Sequence, residues 1–171
     1  MLAQGDAAPN FSVRPIFGVP ISAPPPQPCV LSFVGSLASP YNRRWLAAFQ
    51  DNHADFDRRG VMVAAVAHCG VRSAQDFVPR YHLLYPLAAD PDGAIADLYG
   101  VGRDRWLLAS LPGVVRSRGA LAHGVGWGEG SVRRLPAVFY IDTDGTLRAV
   151  QYGRSIADTP DIEALLRCAA S

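Results

Sequence analysis

Lysine is absent from this chain. All sixteen basic residues are arginine, so no side-chain amine can form a Schiff base. The uniform use of arginine reads as a compositional bias toward Arg, Ala, Gly and Pro, not as sixteen anion sites. Charge of one sign is also lacking. Sixteen basic against fifteen acidic residues leave a formal net charge of +1, and with that balance neither nucleic acid nor an anionic membrane is expected as a partner. No apolar run approaches the ~18 residues of a membrane span. Met1–Asp6 has no basic stretch leading into an apolar one, so no secretory signal is visible. Cysteine is scarce: Cys29, Cys69 and Cys168 are three in number and far apart. They form no CxxC pair, no metal-ligand spacing and no disulfide framework. No metal or other cofactor is expected, and the expected location is cytoplasmic.

What is present is a globular composition, 49% apolar and 18% charged over 171 residues, enough for one domain with a sizeable core. The chain centres on Cys29-Val30-Leu31-Ser32-Phe33-Val34 and the segment just C-terminal to it. The apolar run suits a buried strand. A small-residue turn, Gly35-Ser36-Leu37-Ala38, leads to Ser39 as N-cap and Pro40 at the first helical position. Trp45, Ala48, Phe49, Asn52 and Phe56 recur at helical spacing. They predict one helix from Pro40 to about Arg58, stopped by Gly60. A strand feeding a helix N-terminus concentrates unpaired amides and positive potential, so anions and thiolates are stabilised there.

Upstream, Ile16–Ile21 predicts a small hairpin turning at Gly18, followed by the extended Ala23–Pro28 connector. Downstream, Val61–Ala67 reads as a second parallel strand whose end, His68-Cys69-Gly70, emerges beside Ser39. Ser73 is the expected cap of a short helix bearing Phe77, Tyr81 and Leu84. Asp92-Gly93 marks a turn. Between Gly102 and Arg134 the pattern loosens into an Arg- and Gly-rich excursion, with a helical piece near Leu107–Val115 and Trp127 among glycines. A long aperiodic stretch of this kind often serves as a binding loop. Pro136–Ile141, an Asp-Gly turn and a return strand through Val150 come next, and Thr159-Pro160 opens a last helix with Ile162, Leu165 and Leu166 on one face.

Ser39-Pro40-Tyr41-Asn42 after the strand, Gly5–Phe11, Tyr85–Val101 and Pro136–Gly145 together resemble the peroxiredoxin-like (alkyl hydroperoxide reductase/thiol-specific antioxidant, AhpC/TSA) branch of the thioredoxin superfamily. The Tyr85–Val101 stretch is similar to Phe-Pro-Leu-x-x-Asp-x-x-Gly-x-x-Ala-x-x-Tyr-Gly-Val in that branch. The resemblance implies an α/β, thioredoxin-like fold: a central mixed sheet with helices on both faces. It also implies a single domain over 1–171 with a divergent insertion at about 102–134, and a possible homodimer. Relatives carry Thr-Pro-x-Cys or Cys-Pro-x-Cys at the helix start. Here Asn42 holds the peroxidatic position and Ser39 its partner. Where the branch often has a catalytic Arg, three residues before the strand Phe, this chain has Pro136; superfamily relatives often have a cis proline there.

Three readings are open at this point. In the first, the chain is not a peroxidase and keeps a pocket at the helix N-terminus for a small polar or acidic ligand, or for a partner. Ser36, Ser39, Pro40, Tyr41, Asn42, Arg43, Trp127 and Pro136 are its candidate lining. Against it stands the plainer possibility that Ser39 and Asn42 only cap the helix. In the second, Cys69 is an atypical catalytic thiol with His68 as base; a buried inert cysteine is its plainer counterpart. In the third, the pocket hosts a non-redox enzyme using Ser39, Tyr41, His68 or His123, although Leu37-Ala38-Ser39-Pro40-Tyr41 is no Gly-x-Ser-x-Gly elbow. His53 and His82 fall in helical patterns and are expected to be structural or solvent-facing.

Overall fold

The structure, a computed structural model, describes residues 1–103 and 134–169. Its centre is a five-stranded sheet of order β5-β4-β3-β6-β7. The strands are β3 (Cys29–Val34), β4 (Met62–Ala67), β5 (Leu87–Ala89), β6 (Ala137–Ile141) and β7 (Leu147–Tyr152). β3 pairs in parallel with β4, and β4 with β5; β6 runs antiparallel to both β3 and β7. All six residues of β3 are buried, as expected for a strand covered on both faces.

The alternation of β3 sorts the core into two layers. Val30 and Val34 face Trp45, Leu46 and Phe49 of α1 (Pro40–Asp51), Phe56 of α2 (His53–Asp57), Phe77 of α3 (Val71–Arg80) and Leu165 of α5 (Ile162–Cys168). Leu31 and Phe33 face Ala96 of α4 (Ala94–Leu98), Tyr99 and Ile21. The second layer is completed by the antiparallel pair β1 (Phe11–Val13) and β2 (Ile21–Ala23). Helices therefore lie on both faces of a mixed sheet.

Several local expectations are corrected. The helix after Pro40 is two: α1 ends at Asp51, and Asn52 leaves helical geometry with its Nδ2 donating to the Ala48 carbonyl at 2.8 Å. Phe49 and Phe56 stay on one buried face across the break, so the periodicity does not reveal it. The hairpin strands are Phe11–Val13 and Ile21–Ala23, with Gly18 (φ +86°) inside a wider loop. Gly70, not Ser73, caps α3, which ends at Arg80. Leu84 is thereby left exposed, and His82 falls in a turn at φ +48°. Asp161, not Thr159, caps α5, its carboxylate accepting from the Ala164 amide at 2.9 Å. The Leu135–Pro136 bond is trans; the cis peptide among the described residues is Ala23–Pro24.

Burial leaves a titration signature. The Cys29 thiol, sealed beneath the sheet, is pushed up to about 12, and burial also raises the Tyr85 and Tyr99 phenols. Below an ordinary thiol pKa near 9.0 these groups are protonated in both folded and unfolded chains, and their contribution to stability is fully present. Above it the unfolded chain ionises first, so stability falls as pH rises toward the folded value. For Cys29 alone the loss is about 2 kcal/mol near pH 10.5. Urea midpoints that decline from pH 9 upward are expected, and a flat profile would contradict the burial of these groups.

Candidate functional site

One edge of the sheet gathers the carboxyl ends of β3, β4 and β5 and the amino end of β6. The His68 amide donates to the Val34 carbonyl at 3.0 Å, and the Asp90 amide to the Ala67 carbonyl at 2.9 Å. Ala137 pairs with Phe33, which sets Pro136 level with Val34. The loops holding Ser36–Ser39, His68–Cys69, Asp90–Gly93 and Arg134–Pro136 thus share one end of the fold. Parallel strands open their crevices at this end.

The turn into α1 is held from inside. Asn42, 2% exposed, donates from Nδ2 to the Ser36 carbonyl at 2.9 Å. The Ser36 hydroxyl accepts from the Ala38 amide at 3.3 Å, and the Ser39 amide returns to the Ser36 carbonyl at 3.1 Å. Pro40 stands at the helix start, and the Ser39 side chain makes no capping bond. Ser39 does occupy the N-cap position in extended geometry, but neither it nor Asn42 caps through its side chain. The Ser39 side chain therefore leaves the first-turn amides at the positive end of the helix without the usual N-cap bond.

Arg43 is turned inward. Its Nη2 donates to the Ala38 carbonyl and its Nη1 to the Tyr81 hydroxyl, both at 2.6 Å, with the guanidinium 5.8 Å from the Tyr81 ring centroid. It ties the turn to the end of α3. Behind the turn, Trp45 donates from Nε1 to the Ser32 hydroxyl at 2.8 Å, anchoring α1 to β3.

His68 is half-buried, and its pKa is lowered, first by burial and then by the Arg134 guanidinium, with Asp90 opposing. The neutral imidazole is thereby favoured near neutral pH. Cys69 is 1% exposed and belongs to the core layer under α1 and α3. Its amide closes a tight turn on the Ala67 carbonyl at 2.9 Å.

Sequence reasoning missed Arg134. Its side chain is fully buried, with Nη1 2.6 Å from Asp97 Oδ1 and 3.0 Å from the Val101 carbonyl, and Nη2 3.4 Å from the Gly93 carbonyl. A Cβ on Gly93 would meet both Arg134 Nη2 and His68 Cδ2. Nothing in the local sequence marks Arg134 as a buried residue. The signal is tertiary, since the anchoring Asp97 and Gly93 lie far away in sequence. Trp127, His123, the 107–115 helical piece and the rest of 104–133 lie outside the described residues.

This architecture, a central mixed sheet with helices on both faces, is thioredoxin-like. The chain belongs to the AhpC/TSA family, whose pattern matches residues 4–150. It is 30% identical over 105 residues to the thiol-disulfide oxidoreductase ResA of Oceanobacillus iheyensis, a match covering 57% of this chain and 54% of that protein. The match thus spans about half the length of that curated relative. Among solved structures it is similar to the peroxidoxin BcpB of Mycobacterium tuberculosis, with a TM-score of 0.72, 20% identity, and 99% and 97% of the two chains covered. It is also similar to the reduced 2-Cys peroxiredoxin of Plasmodium vivax, with a TM-score of 0.73, 15% identity, and 99% and 81% covered. At those identities the structural likeness speaks for the fold.

Proposed function

We propose that this AhpC/TSA-family chain is not a thiol peroxidase through its Ser39–Asn42 segment, and that the segment serves as a binding site. The observation that carries this reading is the Asn42 carboxamide. By its resemblance to the family's helix-start segment Asn42 takes the place of the attacking sulfur, and its Nδ2 is already donating to the Ser36 carbonyl. Peroxide reduction requires a thiolate whose sulfur attacks one peroxide oxygen. An S–O bond forms as the O–O bond breaks, the cysteine becomes a sulfenic acid and the other oxygen departs as water or an alcohol. An amide has no such lone pair to give, and a serine hydroxyl stays protonated near neutral pH. Pro136 supplies no cation at the position where relatives often have one.

What the turn does offer is a set of donors. The Tyr41 and Asn42 amides and the helix dipole favour a small acidic or polar group, or an acidic partner side chain. Arg43 adds positive charge one turn in, although its hydrogen bonds to Ala38 and Tyr81 make it a brace and not a first contact. Cys69 is a poor rival as nucleophile, because its core position leaves a substrate no approach. Titrating isotopically labelled protein with malonate and with inorganic phosphate tests the binding role. Saturable shifts of the Tyr41 and Asn42 amides in the low-millimolar range or tighter are expected. Amides that stay unmoved by either anion would remove the acidic-ligand form of the proposal.

A further inference from the structure

The opposite end of the sheet holds a cavity of about 490 Å³, lined by Pro28, Tyr140, Asp142, Arg148, Cys168 and Ala169 together with the N-terminal segment. That volume is in the range of small-molecule sites. Tyr140 is only 4% exposed. Its hydroxyl makes no hydrogen bond among the described residues but keeps some contact with solvent, and Tyr140 shares the cavity wall with Asp142 and Cys168. A phenol hydroxyl that opens onto a cavity without a protein partner is a donor available to a guest. Burial raises the Tyr140 pKa, with Asp142 and Cys168 adding to the effect and Arg148 opposing it, so the group stays a donor at neutral pH.

The charges on the wall are already paired with each other. Arg148 Nε lies 3.0 Å and Nη2 2.9 Å from Asp142 Oδ2, and Asp144 flanks the same guanidinium at 3.9 Å. Two carboxylates against one cation disfavour an anionic guest. Pro28, Ala169 and the Tyr140 ring give it apolar surface. We propose that this cavity binds a small uncharged molecule whose carbonyl oxygen accepts from the Tyr140 hydroxyl, at a site separate from the α1 turn.

Cys168 on the cavity wall makes the proposal measurable, and iodoacetamide, itself a small uncharged amide, is the probe. The sulfur displaces iodide: an S–C bond forms, the C–I bond breaks, and the thiol proton passes to buffer. Alkylation of Cys168 in the native chain is followed by mass spectrometry with iodoacetamide and with iodoacetate. Their rate ratio is divided by the same ratio for glutathione. One neutral hydrogen bond predicts a normalised ratio of roughly 5 or more, falling about fivefold in Tyr140→Phe. The lactam 2-piperidone should slow the iodoacetamide reaction in the unaltered chain, a readout that does not depend on the variant folding. A ratio equal to that of glutathione, a ratio unmoved by Tyr140→Phe in a folded variant, no protection by 2-piperidone, or no alkylation of native Cys168 would each overturn the proposal.

Discussion

Gly93→Ala is expected to destabilise the fold by about 3 kcal/mol, from two sources that add. Gly93 has φ +72°, in the left-handed region where a side chain costs about 1 kcal/mol or more. The new Cβ would also overlap Arg134 Nη2 and come within 2.9 Å of His68 Cδ2. Neither neighbour can move aside easily. The guanidinium is fully buried and fixed by Asp97, Val101 and the Gly93 carbonyl itself. Displacing it strands a cation away from water, which costs more than losing an ordinary hydrogen bond. Urea denaturation measures the effect. A double-mutant cycle with Arg134→Ala isolates the steric part: the pair should cost clearly less than the sum of the singles. A loss well under 1 kcal/mol for Gly93→Ala would contradict the packing of the three loops at this edge.

Trp45→Ala is expected to cost more, about 4 kcal/mol, the usual range for emptying a large buried aromatic site. Trp45 is 1% exposed and sits against Phe49, with ring centroids 6.5 Å apart. Its indole N–H is the partner of the buried Ser32 hydroxyl. Removing it opens a cavity between α1 and the central strand and leaves that hydroxyl unpaired. Trp45→Phe keeps most of the apolar volume and loses only the donor, so it should cost roughly 1–2 kcal/mol. Because α1 carries the Ser39–Arg43 turn, the alanine variant should also weaken any anion response of the Tyr41 and Asn42 amides. Chemical denaturation followed by near-ultraviolet dichroism reads stability, and an alanine variant as stable as the parent would contradict the anchoring role.

The central features are legible in the sequence because several local signals agree on each. Val30–Val34, the Gly35–Ala38 turn and Pro40 specify strand, turn and helix start independently, and the structure realises all three. Asp90-Pro91-Asp92-Gly93 is equally plain: a left-handed glycine between a short strand and a short helix. Boundaries decided by tertiary contacts are not. Asn52 breaks a helix whose hydrophobic stripe continues unbroken. Asp161 caps α5 two residues after the more conspicuous Thr159-Pro160. By spacing alone Arg43 reads as an open cation beside the α1 turn, because nothing local points to Tyr81 at the end of α3. Arg134 is invisible for the same reason: a buried arginine announces itself only through acceptors that folding brings to it.

The role assigned to the Ser39–Asn42 segment turns on whether the unaltered chain can reduce peroxide. The most direct measurement follows hydrogen peroxide consumption by the purified protein with a dithiol donor, alongside a free-thiol titration in the native and denatured states. The rate should not exceed that of the dithiol alone, with Cys29 and Cys69 reacting only after denaturation. Rapid, saturable turnover of peroxide by the natural polypeptide would contradict it.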